Sequence, residues 1–137
     1  MTTKLKYWIP TGLLAAMIFI SGVANVTHQP RPMQAALHLG YPPYIATELG
    51  IWKLLAAVTF VFGARWPRLK EWAFAGVFFD LSGALVAHTA SGDGLVDSAP
   101  AGVLLLLTGV AYVAHRRFTP EPLATMAPPI LTAEGHG

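Results

Sequence analysis

The sequence contains no cysteine, and this absence removes several kinds of chemistry from consideration. Without thiols the chain can form no disulfide, no thiolate zinc site, no iron–sulfur cluster and no CxxC redox pair of its own. Any electron transfer would therefore depend on a cofactor or on another protein.

Charged residues are also scarce. They make up 12% of the 137 residues, against about 25% in ordinary soluble domains. The formal net charge is only +2, and the basic side chains form no stripe that could neutralise a run of phosphates, so a nucleic-acid partner is excluded. The GxSxG, HExxH and phosphate-loop motifs are missing as well. These deficits favour a small integral membrane protein.

Long apolar runs are what the sequence has in abundance, since 54% of its residues are hydrophobic. About 20 helical residues cross a hydrocarbon layer about 30 Å thick. The runs that approach this length are residues 7–26, 45–62, 72–90 and 99–114, the last being the shortest. The sequence therefore predicts an all-α fold, a bundle of four transmembrane helices formed by residues 1–117, and a flexible, proline-rich cytoplasmic tail of residues 118–137.

The distribution of basic residues predicts the orientation of this bundle. Lysine and arginine accumulate on the cytoplasmic side of membrane proteins. Most of them lie before the first run, between the second and third, or after the fourth, namely Lys4, Lys6, Arg65, Arg68, Lys70, Arg116 and Arg117. Both termini are therefore predicted to be cytoplasmic.

The first run has an alternative interpretation as a cleavable secretory signal. Lys4 and Lys6 precede an apolar stretch that ends near the small residues Gly22 and Ala24, as in such signals. The apolar run continues through Val26, however, and its removal would leave an odd number of spans between basic loops that require an even number. We therefore interpret it as a span.

The outer loop between the first two spans also has two interpretations. Met33, Ala36, Leu37 and Gly40 recur at helical spacing, which is typical of a short helix lying at the membrane surface. An irregular loop whose apolar residues cap the bundle is the alternative.

Four ionisable residues lie inside the predicted spans: Glu48, Lys53, Asp80 and His88. A charged side chain at the centre of a membrane helix costs about 2.5–3.5 kcal/mol on insertion scales, so each needs a partner or a change of protonation. Counting along the helices places Lys53 and Asp80 roughly 12–15 Å below the outer boundary and Glu48 and His88 only roughly 3–5 Å below it. The sequence thus predicts a deep acid–base layer and a shallow one that opens outward.

Small residues share the helix faces of the two deep charges. Gly50 accompanies Lys53, and Gly76 and Gly83 accompany Asp80, so we expect close helix packing around both charges. An ion pair between Lys53 and Asp80 follows from their common depth. Such a pair either fixes helix register alone or forms an intramembrane site for a proton, a quinone head group or a small polar ligand, and the sequence leaves both open. The histidines and acids show no metal-ligand spacing, so no metal site is predicted.

The same residues carry a resemblance to a known family. The relevant stretches are GLLAAMIFISGV (residues 12–23), HLGYPPYIATELGIWKLLAA (residues 38–57) and PRLKEWAFAGVFFDLSGALVAHTASGD (residues 67–93). They resemble the DoxX-like family of small four-helix bacterial membrane proteins. The resemblance implies a four-helix bundle with both termini inside, located in the bacterial cytoplasmic (inner) membrane.

The resemblance also implies a redox context, because the wider DoxX and DoxD group is named for membrane subunits of quinone-linked oxidoreductases. We therefore expect a subunit without a catalytic motif or intrinsic cofactor, with a quinone as candidate ligand and with lipid, other membrane subunits or further copies of itself as partners. Asp80 would accept a proton, Lys53 would be its counter-charge, and Glu48 and His88 would form the outward proton path. The alternatives are a proton-linked carrier of small solutes acting as a dimer and a purely structural subunit.

Overall fold

The computed structural model describes residues 2–118, so the predicted tail lies almost wholly outside the described residues. This part of the chain folds into α1 (Thr2–Val26), α2 (Pro30–His38), α3 (Pro43–Phe62), a single 3₁₀ turn (Gly63–Arg65), α4 (Pro67–Ala90) and α5 (Leu95–Phe118), with no strand among these residues. The helices α1, α3, α4 and α5 are each long and apolar enough to cross a membrane. The predicted all-α fold with four membrane helices is confirmed.

Local sequence signals explain where the helices begin and end. Proline occupies the first position of α2, α3 and α4, where its fixed φ suits the helix and its missing N–H costs no hydrogen bond. The fourth span is longer than its apolar run, because α5 begins at Leu95 and contains Pro100 within its first turns. The proposed surface helix in the outer loop exists as α2, but it ends before Gly40, whose φ of +82° is not helical.

The long helices form a ring in the order α3, α1, α5, α4, and each contacts its two neighbours in this ring. Leu14 and Ile18 of α1, Phe60 of α3 and Phe74 of α4 belong to the central apolar core. Most of the other large apolar side chains point outward, as expected for a bundle surrounded by lipid. The α3–α4 side of the ring is the least closely packed.

Glycine permits the closest helix crossing, which lies between α1 and α3. A Cβ atom added at Gly50 would lie 2.8 Å from a methyl carbon of Val26 and 2.9 Å from the carbonyl oxygen of Gly22. Because such distances are not tolerated, position 50 requires glycine unless the helices move apart. The expected close packing at Gly50 is present, although its partner is α1 rather than α4.

The same expectation is wrong for α4. A Cβ atom added at Gly76 or Gly83 would meet no other atom within 4 Å, so these glycines are not at a helix contact. At Gly76 the missing side chain leaves space in the groove between α3 and α4. Sequence spacing identified the small residues correctly but could not distinguish a contact from a gap.

Candidate functional site

The predicted ion pair is present between α3 and α4. Lys53 Nζ lies 3.4 Å from Asp80 Oδ2, and the two side chains are 15% and 17% exposed. The two residues are equally far along their helices from the outer ends at Pro43 and Ala90, about 15 Å at the helical rise. Their common level and opposite charge account for the pairing.

A cavity of about 520 Å³ adjoins this pair. Its walls come from α3 and α4 alone and are mainly aliphatic and aromatic: Leu49, Trp52, Lys53, Leu55, Ala56, Thr59, Leu69, Trp72, Ala73, Gly76, Val77 and Asp80. Thr59 donates its hydroxyl to the carbonyl oxygen of Leu55, and Lys53 and Asp80 are the charged groups of the lining. The cavity is thus an apolar chamber with one charged pair in its wall.

The cavity opens sideways, toward the region that lipid occupies around a membrane bundle. Trp52 and Trp72 in its walls are 62% and 77% exposed, and Leu55 and Leu69 are exposed as well. A lipophilic molecule in the bilayer could therefore reach the pair without crossing the core.

Glu48 and His88, the two residues of the predicted shallow layer, share no hydrogen bond or ion pair in the structure. Glu48 is exposed and forms no ion pair or hydrogen bond with another residue in the range 2–118. His88 instead bonds Asp93 in the turn that follows α4, with its Nδ1 2.7 Å from Oδ2. Asp93 lies close to His88 in the chain and can reach it locally, whereas Glu48 is exposed on α3.

Asp93 also links α2 to the rest of the bundle. His38 Nε2, at the end of α2, lies 2.7 Å from Asp93 Oδ1. Since a carboxylate only accepts hydrogen bonds, both imidazoles must donate to it. The hydrogen bond with Asp93, together with the carboxylate charge, raises the pKa of His38, and the hydrogen bonds from His38 and His88 lower the pKa of Asp93.

In this outer cluster the two imidazoles bond to different oxygens of one carboxylate. No group of three or more potential metal ligands occurs among the residues that the structure describes.

A third polar cluster lies at the inner end of the bundle, which we define as the end carrying the basic residues. Lys70 of α4 is buried and donates to the hydroxyl of Tyr7 in α1. Glu71 Oε1 lies 3.5 Å from His115 Nε2 and 3.9 Å from an Arg116 nitrogen, both in α5. The cluster thus ties the inner ends of three helices together.

Sequence reasoning missed this cluster, because Lys70 and Glu71 are typical of residues that anchor a helix at the interface. The signal was present, since Tyr7, Lys70, Glu71 and His115 all fall at the inner ends of their spans. What the sequence could not indicate is that Lys70 turns inward, to become only 5% exposed.

These observations define a small multi-pass integral membrane protein with three polar clusters, at the middle and at the two ends of an apolar helical bundle. The model of the DoxX-like family matches residues 9–131, and the chain belongs to this family. No curated protein and no solved structure matches the chain significantly.

Proposed function

We propose that this protein is a subunit of a quinone-linked membrane assembly and that the cavity between α3 and α4 binds a quinone head group. The observation that carries the proposal is the Lys53–Asp80 pair, which lies in the wall of an apolar cavity open toward lipid. Quinones partition into the bilayer and carry two carbonyl oxygens, so they match both the route of entry and the polar groups.

The dimensions of the cavity support this ligand class. Ligand cavities for small molecules generally measure about 300–1,000 Å³ and combine apolar walls with a few polar groups. At about 520 Å³ the cavity is within this range. The ammonium of Lys53 would donate a hydrogen bond to a quinone carbonyl, and the indoles of Trp52 and Trp72 would contact the ring.

The charged residues would then handle protons, while electrons come from elsewhere. Reduction of a quinone to a quinol takes up two electrons and two protons, and the chain has no thiol to supply the electrons. A redox-active partner subunit would supply them, and Asp80 would accept the two protons in turn from the outer face and pass them to the two quinone oxygens. Glu48 and His88 lie toward the outer ends of the same two helices, where they would form the proton path between Asp80 and the outer face.

Two glycines of α4 allow a matched test of the cavity. Gly76 lines it and Gly83 does not, yet an added Cβ meets nothing at either position. Gly76→Leu should therefore fill the cavity without disturbing the bundle, and Gly83→Leu serves as the control. The purified protein in lipid nanodiscs is titrated with decylubiquinone, and binding is followed by quenching of tryptophan fluorescence.

We expect saturable quenching in the wild type and in Gly83→Leu, and at least about tenfold weaker binding in Gly76→Leu, a loss of about 1.4 kcal/mol. Equal affinity in the two leucine variants, or quenching that rises without saturation in all three proteins, would contradict the proposal.

A further inference from the structure

A second cavity, of about 210 Å³, lies at the inner end of the bundle, away from the one between α3 and α4. Its lining comes from the N-terminal part of α1, the 3₁₀ turn with the start of α4, and the end of α5, and includes Lys4, Tyr7, Lys70 and His115. The cavity therefore has two lysines in its wall and no carboxylate from the described residues.

The ammonium of Lys70 is the unusual group in this cavity. The residue is 5% exposed, and its stem packs against Gly63, where an added Cβ would lie 3.2 Å from Lys70 Cγ. Its hydrogen bond goes to the hydroxyl of Tyr7. An ammonium has three N–H donors, so this arrangement leaves donor capacity toward the cavity.

No anion among the described residues compensates this buried charge. Within residues 2–118 no carboxylate lies within 4.0 Å of Lys70 Nζ. The neighbouring acid, Glu71, contacts His115 and Arg116 instead. Buried charges are costly unless they are paired, and the phenol of Tyr7 is neutral.

We propose that the inner cavity binds an anionic phosphate group held by Lys70, with Lys4 as a second cation at its mouth. Charge-assisted hydrogen bonds from ammonium to phosphate are among the strong ones in proteins. A cavity of about 210 Å³ is large enough for a phosphate group. The phosphate can come from an anionic lipid of the adjacent leaflet or from a soluble phosphate, and the same residues would bind either source.

The test measures stabilisation of the full-length protein against heat, because a ligand that binds the folded state raises the melting temperature. One arm adds inorganic phosphate to protein in phosphatidylcholine nanodiscs, against chloride at equal ionic strength. The other arm replaces part of the phosphatidylcholine by phosphatidylglycerol. Stabilisation in the first arm identifies a soluble phosphate as ligand, and stabilisation in the second alone identifies the lipid head group.

Three variants locate the effect. Lys70→Met keeps the apolar stem and removes the charge, and it should weaken phosphate binding about tenfold or more, because a hydrogen bond between two charged groups is lost. Lys4→Gln, at an exposed position, should weaken binding about threefold without affecting folding. Lys6→Gln changes an exposed lysine of the same helix that does not line the cavity, and it should leave binding unchanged.

The proposal is overturned if neither arm stabilises the wild type. It is also overturned if Lys4→Gln and Lys6→Gln weaken binding equally, since this would show an unspecific response to basic charge. Because Lys70 and Lys4 do not contact the cavity between α3 and α4, both results are independent of quinone binding.

Discussion

At the scale of single residues, the charges in the middle of the bundle depend on each other. Lys53 and Asp80 are each more than four-fifths covered, and each is the ion-pair partner of the other. Removing one member leaves a covered charge without compensation, whereas removing both leaves an apolar wall. The pair should therefore respond to substitution in a strongly non-additive way.

A double-mutant cycle checks this coupling. We expect Lys53→Met alone to lower the free energy of unfolding by about 3 kcal/mol, and the combination with Asp80→Leu to lower it by much less than the sum of the single changes. Unfolding in detergent, followed by circular dichroism, measures each value, and Lys6→Gln is the control for loss of an exposed cation. Additive losses would show that the two charges do not interact.

The same double variant distinguishes a site from a packing device. If the pair only fixes helix register, the variant should retain assembly and should bind decylubiquinone as the wild type does. If the pair contacts the quinone, binding should be lost while the fold is retained.

At the scale of elements, the short helix α2 is held to the outer end of the bundle by hydrogen bonds between side chains. Its C-terminal His38 bonds to Asp93 in the turn between α4 and α5, and His28, just before α2, bonds to Thr47 of α3. The contact of His38 with Asp93 joins an imidazole to a carboxylate and is strengthened when the imidazole is charged. The contact of His28 with the hydroxyl of Thr47 needs no charge. The attachment of α2 should therefore depend on pH through one contact only.

The sign of this pH dependence follows from the two pKa shifts. The pKa of His38 is raised above 6.5, mainly by its hydrogen bond with Asp93, so its contribution is complete below pH 6.5 and is lost as pH rises through the raised pKa. The pKa of Asp93 is lowered below 3.8, so its contribution is present above pH 3.8 and is lost as pH falls through the lowered pKa. The attachment of α2 to the bundle should therefore be most stable between pH 3.8 and pH 6.5.

Hydrogen exchange of the α2 amides measures the attachment. After correction for intrinsic rates, exchange should be faster at about pH 8.5 than at about pH 6, by no more than about fivefold for an exposed ion pair. Asp93→Asn should remove the difference, and His28→Asn should preserve it. A difference that persists in Asp93→Asn would assign the pH dependence to other groups.

At the scale of the whole molecule, periodicity and length were sufficient to predict the four membrane helices, because a membrane span needs a long apolar run. The level of Lys53 and Asp80 could also be predicted by counting residues from the ends of the spans. The side on which each side chain lies could not be predicted in this way. Glu48, which points outward, and Lys70, which turns inward, are the clearest examples.

The packing of the ring was equally out of reach of the sequence. Gly50 and Gly76 occur in similar apolar surroundings, yet one lies at the closest crossing and the other beside a cavity. The difference depends on which helices are neighbours, and no local pattern contains that information. The outer cluster around Asp93 was missed for a related reason, since Asp93 lies in a turn outside the predicted spans.

The orientation of the molecule remains a prediction that the absence of cysteine makes easy to test. With both termini inside, Arg65 lies on the cytoplasmic side and Ser91 on the opposite side. In intact cells, a membrane-impermeant maleimide should label the Ser91→Cys variant and should label Arg65→Cys only after the membrane is opened. Labelling of Arg65→Cys in intact cells would reverse the orientation.

The proposed function requires a quinone in the cavity between α3 and α4 and a redox-active protein bound to this subunit. Isolation of the protein from its native membrane in mild detergent, with mass spectrometry of both proteins and lipophilic molecules, examines both requirements in one experiment. We expect a quinone and a redox-active partner protein with the wild type and with Gly83→Leu, and loss of the quinone with Gly76→Leu. Wild-type protein that carries neither quinone nor redox partner would contradict the proposed function.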